Sequence, residues 1–235
     1  MSNLTQSIPL LTLLQLTGYN PTQRDLFPHQ ETERKADLQI ATHLGATRLE
    51  HLVTLLPERI IDSRTLYEGS IVTFYVNTIV LPNGSLSKRE IVGTPGAVAI
   101  VPLTDDGQVR LVRQYRSGIS DFSLEIPAGT LEPGEPTDEA APRELAEETG
   151  DRAESWRPLT SVYTTPGICD EVIHIYLATG LTGGQNHLDP DEFIDVVTLP
   201  LAQAVEMVHT GDIRDAKTII GLLMAAQMAL QGLAD

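Results

Sequence analysis

Nine carboxylates stand within the 23 residues from Glu132 to Glu154, against two bases, Arg143 and Arg152, a local net charge of −7. In a helix, Glu144, Glu147 and Glu148 fall at i, i+3 and i+4, on one face and a turn apart. Like charges at that spacing repel by roughly 0.2–0.5 kcal/mol per pair, so an ordinary solvated helix gains by mixing its signs. Either this helix turns an acidic face to water, or a positive partner sits against it. A hard cation such as Mg²⁺ takes carboxylate oxygens and would convert the repulsion into ligation.

The surrounding chain reads mostly as strands. Residues 71–81 are β-branched and aromatic, turn at Pro82-Asn83-Gly84 and resume at Lys88-Arg89-Glu90-Ile91-Val92, which predicts a hairpin. The apolar runs Ala97 to Leu103 and Val109 to Tyr115 flank Thr104-Asp105-Asp106-Gly107, a second hairpin turn. Further strands are expected at 123–126, 156–163, 172–179 and 193–199. Helical patterns fall near 137–149, from Leu201 to His209 with Gly211 as the stop, and from Asp215 to Leu230. Strands first with helices late give an α+β chain with a mixed sheet. Residues 1–58 read as an N-terminal extension with some helix, since Leu49, Leu52, Val53 and Leu56 keep helical spacing up to Pro57.

Composition removes several classes of partner. Acids outnumber bases 32 to 16 over 235 residues, a formal charge of −16, which opposes contact with a polyanion; no nucleic-acid partner is expected. Cys169 is the only cysteine, so no internal disulfide can form, and no paired Cys/His spacing makes a zinc framework; this fits a reducing cytoplasm. The leucine-rich stretch from Leu4 to Leu16 is broken by Thr5, Gln6, Ser7, Pro9, Thr12 and Gln15, and no base precedes Arg24. Neither a signal peptide nor a membrane partner is expected.

The acidic segment also carries a motif. Gly129, Glu135, Arg143, Glu144, Glu147, Glu148 and Gly150 stand at the spacing G-x5-E-x7-R-E-U-x-E-E-x-G-U, where U is a bulky aliphatic residue, and the segment resembles the Nudix box. Asp151 departs at the final U. Pro142 departs just before Arg143; a helix starting at or near Pro142 would place it at N1, where proline costs little, whereas in a helix interior it can cost about 3 kcal/mol. The resemblance spans roughly residues 63–230 and is closest to the ADP-ribose pyrophosphatase branch. Gln114-Tyr115-Arg116, Leu124-Glu125-Ile126-Pro127-Ala128-Gly129 and Thr165-Pro166-Gly167-Ile168-Cys169-Asp170-Glu171 resemble its QYR, LE-x-PAG and S-P-G-x-x-x-E signatures, and Asp215-Ala216-Lys217-Thr218 also looks like the branch.

The resemblance implies a Nudix fold, a mixed sheet packed between helices as an α/β/α sandwich, with an N-terminal β hairpin element. It divides the chain into an extension at 1–58, a dimer-forming β segment at 59–95 and a catalytic domain at 96–235. It implies Mg²⁺-dependent attack of water on the diphosphate of ADP-ribose, with Mn²⁺ as a substitute metal, in a homodimer. Glu144, Glu147, Glu148 and the Ala128 carbonyl would hold metal, with Glu144 and Glu148 counted as catalytic. Glu135 and Arg143 would form a structural ion pair, and Gly129 and Gly150 would shape the motif. Substrate would meet Arg116, Glu125, Pro166 and Glu171. For Arg116 the alternative is a surface salt bridge. Arg89 either reaches the neighbouring subunit's site or is an exposed strand charge. The general base is Glu192 or, as its rival, Glu171. Other nucleoside diphosphate substrates (ADP-glucose, GDP-mannose, NADH, FAD) and a non-catalytic ADP-ribose sensor remain as alternatives.

Overall fold

The computed structural model describes residues 57–184, 186, 188 and 193–231. Ten strands and three helices follow in the order β1 (Arg59–Glu68), β2 (Thr73–Val80), β3 (Leu86–Gly93), β4 (Ala97–Pro102), β5 (Gln108–Arg116), β6 (Asp121–Glu125), β7 (Ala128–Thr130), α1 (Thr137–Thr149), β8 (Arg152–Tyr163), β9 (Val172–Thr182), β10 (Ile194–Pro200), α2 (Leu201–Thr210) and α3 (Ala216–Leu230). They form three sheets, ordered β1-β2-β3, β10-β5-β6 and β7-β4-β9-β8. Only residues 57 and 58 of the expected extension fall among the described residues.

The chain divides into two compact units, residues 1–63 with 77–89 and residues 64–76 with 90–235. In the first, Ile79 is buried and Arg89 pairs with Glu58. The second contains the sheets β10-β5-β6 and β7-β4-β9-β8 and all three helices. Its central strand is β4, parallel to β9 and antiparallel to β7. Alternate β4 residues point to opposite faces, as a strand's period of two requires. Ala99 and Val101 pack in one apolar cluster with Leu222 and Ala225 of α3. Val98 and Ile100 pack in another with Ala140, Ala141 and Leu145 of α1. The sheet therefore lies between helices. Gly221 lets α3 approach closely, since a Cβ there would stand 2.8 Å from Val101 Cγ2 and 3.1 Å from Ile126 Cδ1.

Three local features complete what the sequence left open. α1 begins at Thr137, with Pro136 as its N-cap, in agreement with the helical pattern near 137–149, and Pro142, for which two placements were open, takes the helix interior. The hydrogen bond it cannot donate would have gone to the Asp138 carbonyl. Asp138 is exposed, and water can serve that oxygen in place of the missing amide. Asp151, where an aliphatic residue is the rule for the motif, is fully buried. Arg110 of β5 answers its charge, with Nε 3.0 Å from Oδ2. Finally, β1 opens the β segment expected at 59–95, at a stretch where no individual strand was read, and all ten of its residues are exposed.

Candidate functional site

α1 buries Ala140, Ala141 and Leu145 against the sheet, and the same periodicity decides how deep its glutamates sit. Glu144 and Glu148 flank that apolar stripe and are 9% and 3% exposed. The Glu147 side chain is well exposed. The two buried carboxylates meet the short strand β7. Glu148 Oε2 accepts the Ala128 N–H at 3.0 Å. Glu144 crosses directly over Gly129, where a Cβ would lie 1.9 Å from the carboxylate carbon and 2.0 and 2.1 Å from its oxygens. Only glycine fits there.

Arg143, one of the two bases in the acidic segment, is a positive partner for several of its carboxylates. Its Nε and Nη2 hold Glu135 bidentately at 2.7 and 2.8 Å. Its Nη1 donates to Glu144 Oε1 at 2.7 Å and Glu147 Oε2 at 2.9 Å. Glu135 also accepts the Glu132 amide at 2.9 Å. The Arg143 hydrogen bonds, then that amide, hold the Glu135 carboxyl down to about 2. Repulsion among the box glutamates is therefore relieved in part from within the chain, and it does not by itself demand a metal. Among the described residues, no three acidic, His or Cys side chains converge as a preformed cage. The donor chemistry nonetheless fits a hard divalent cation: three carboxylates on adjacent turns, one crossing a glycine, beside the main chain of Ala128.

A second charged array lies at the end of β6. Glu125 is 2% exposed. Its Oε1 accepts Arg116 Nε at 2.9 Å, and its Oε2 accepts Arg116 Nη2 at 2.7 Å and Lys217 Nζ at 2.5 Å. Burial raises the Glu125 carboxyl, but Arg116 and Lys217 outweigh it and set it at about 2. Both of its oxygens are engaged, so Glu125 does not offer a free carboxylate. Arg116 feels the charge of Glu148 as well, which places the two arrays side by side. Asp215 caps α3, accepting Thr218 N–H at 3.0 Å and Thr218 Oγ1 at 2.6 Å, and lies 3.1 Å from Lys217 Nζ. The Thr218 hydroxyl in turn accepts the Ile126 N–H at 2.9 Å. The cap thus fixes the stretch that runs from Glu125 to Ala128. Lys217 lay within the resembling Asp215-Ala216-Lys217-Thr218 segment, but nothing in the sequence linked it to Glu125.

The Pro166 loop is stitched at its base. Val92 N–H donates to the Ile168 carbonyl at 2.8 Å and Asp170 N–H to the Val92 carbonyl at 3.2 Å. Asp170 also accepts the Thr94 amide at 2.8 Å and the Tyr75 hydroxyl at 3.4 Å. Pro166 is exposed at the loop tip, and Glu171 is half-buried just before β9. Arg89 is held within its own unit, donating from Nε to Glu58 at 3.0 Å and from Nη1 to the Lys88 carbonyl at 3.0 Å. Glu192 lies outside the described residues.

Residues 93–220 match a family model described as the NUDIX domain. The chain is 42% identical over 165 residues to the ADP-ribose pyrophosphatase of Bacillus subtilis (strain 168), covering 69% of this chain and 89% of that protein. It is also 42% identical over 170 residues to the methanol dehydrogenase activator of Bacillus methanolicus, covering 72% and 92%. A solved structure described as an ADP compounds hydrolase superposes with a TM-score of 0.67 at 27% identity, covering 75% of this chain and 96% of that one.

Proposed function

The chain belongs to the Nudix family, and on that premise we propose that it hydrolyses the diphosphate of ADP-ribose to AMP and ribose 5-phosphate. The observation that carries this reading is the meeting of Glu144 and Glu148 with Gly129 and Ala128, beside the Arg116 fork. The substrate class follows the relatives, an ADP-ribose pyrophosphatase and an ADP compounds hydrolase.

Glu144, Glu147, Glu148 and the Ala128 carbonyl are the groups that would hold Mg²⁺, or Mn²⁺ in its place. When bound, such an ion neutralises diphosphate charge and lowers the pKa of a coordinated water. The chain's own residues do the rest. Arg116 grips phosphate oxygens with the part of its fork that Glu125 leaves over. Arg143 keeps Glu135, Glu144 and Glu147 in register. A carboxylate, Glu192 or Glu171, takes the proton of the attacking water. The water oxygen bonds to one phosphorus, the bridging P–O bond breaks, and its electron pair leaves on the other phosphate. Pro166 and its loop bear on the non-adenylate half.

The test is release of AMP from ADP-ribose by the pure protein with and without Mg²⁺, beside ADP-glucose, GDP-mannose, NADH and FAD. Turnover of another compound in preference to ADP-ribose would replace the substrate and keep the mechanism. Binding of ADP-ribose without turnover would make the chain a sensor. Glu192→Gln should lower kcat by orders of magnitude with Mg²⁺ binding intact, and near-normal turnover would remove Glu192 from the role. We further propose that the chain works as a homodimer in the cytoplasm. β1 buries neither face and exposes Ile60, Ile61, Leu66 and Tyr67, a surface that a second copy would cover. A monomeric mass by light scattering would refute the dimer. The lone cysteine fits the compartment.

A further inference from the structure

We propose that Lys217 is a positioning residue for the phosphate clamp: it holds Glu125 in place so that Arg116 presents the free side of its guanidinium to a diphosphate. The inference rests on the hydrolase reading above, but its test does not depend on which diphosphate is the substrate.

Four groups form a line of alternating charge, Arg116, Glu125, Lys217 and Asp215. Exposure is lowest in the middle of the line, at Glu125 and Lys217, and highest at Arg116. The Arg116 side chain is 42% exposed, Glu125 3% and Lys217 10%. The Asp215 end is fixed because Asp215 is the N-cap of α3 and is bonded twice to Thr218. Glu125 occupies the Nε–Nη2 edge of Arg116, which leaves the Nη1 side facing away from the pair. An arginine bound to a carboxylate of its own is close to neutral as a unit and draws anions weakly. Lys217 shares Oε2 of that carboxylate at 2.5 Å, so Glu125 divides its charge between two cations and Arg116 keeps more of its own. Lysine suits the task because it acts as a compact point charge. It also reaches Glu125 from a helix start whose own hydroxyl bonds the Ile126 amide, so clamp and metal-side main chain are set by one element.

The experiment titrates inorganic diphosphate into the full chain by calorimetry in the presence of Mg²⁺, for the wild type, Lys217→Met and Lys217→Arg, with thermal unfolding of each. Removing one charge-assisted partner from Glu125 should weaken diphosphate roughly tenfold to a hundredfold in Lys217→Met, and Lys217→Arg should recover most of it. For whichever substrate the wild type turns over, KM should rise more than kcat falls. Unchanged affinity in Lys217→Met overturns the proposal. So does a Lys217→Met chain that loses stability or fails to fold with no recovery of affinity in Lys217→Arg, which would make Lys217 a structural strut. A wild type that does not bind diphosphate removes Arg116 from the clamp and the proposal with it. Failure to hydrolyse ADP-ribose alone refutes the substrate and leaves the affinity ratios standing.

Discussion

Gly129→Ala is the smallest change that attacks the candidate site, and its cost can be worked from the geometry. The new methyl carbon would stand 1.9 Å from Glu144 Cδ, whereas carbon atoms rest at about 3.5 Å. Something must therefore move by about 1.6 Å. If the Glu144 carboxylate swings away, it gives up its 2.7 Å bond from Arg143. If β7 retreats, it strains the Ala128 to Glu148 bond and the Val98–Gly129 pairing. Either route gives up a charge-assisted hydrogen bond, about 1.5–3 kcal/mol, which for a domain of this size lowers Tm by roughly 3–12 °C. The assay is a double-mutant cycle with Glu144→Ala, read by thermal unfolding and by Mg²⁺ calorimetry. Glu144→Ala removes the obstacle, so Gly129→Ala should cost little in that background. A Gly129→Ala chain with wild-type Tm and Mg²⁺ affinity, or one that loses the same Tm in both backgrounds, would refute the argument.

Other expectations follow from the buried charges. The Glu125 carboxyl is drawn from 4.5 to about 2, so its pairing stabilises the fold above the unfolded value and the benefit is lost as pH falls from 4.5 through about 2; the span corresponds to about 3 kcal/mol. Glu125→Gln should flatten that acid limb of the urea-unfolding profile, and an unchanged limb would contradict the pairing. Burial raises the Asp151 carboxyl, against the smaller opposing pull of Arg110. A raised acid favours the folded state below its unfolded value and penalises it as pH climbs through the folded one. Asp151→Asn should therefore gain stability relative to the wild type from pH 4 to pH 7, and a relative loss over that range would show that the Arg110 pair dominates. Thr218→Val leaves the buried Ile126 amide without its acceptor and should cost about 1–3 kcal/mol, measured by urea unfolding; a cost near zero would mean that water replaces the hydroxyl.

The parts of this molecule that a reader of the sequence could see are those written in local spacing. α1, its glutamates and the hairpin turns at Gly84 and Gly107, both at positive φ, repeat at intervals that a helix or a turn imposes. Glu135 and Arg143 are eight residues apart and belong to one motif. What stayed hidden needed distant partners. Lys217 and Glu125 are 92 residues apart, and no periodicity joins them. Asp151 looked like a break in an apolar position because Arg110, its answer, comes from another strand. β1 was expected only as part of the 59–95 segment that the resemblance implies, because Arg59–Glu68 buries neither face, and without a buried face a strand has no alternation to display. Pro142 was left between N1 and the helix interior, and it takes the interior, where water can serve the exposed carbonyl that loses its amide.

The bond from the Ile126 amide to Thr218 has a consequence for how the molecule comes into being. Glu125, Ile126 and Ala128 are synthesised well before α3, yet the group that pins them belongs to α3, and Gly221 of the same helix packs on Ile126 and Val101. On the ribosome, the acidic helix and its facing strand can pair while the stretch between Glu125 and Ala128 still lacks its last tether. The clamp and the carboxylates reach their final alignment only when the fourth turn from the end of the described chain has emerged and folded back, so the site closes late and from its far end.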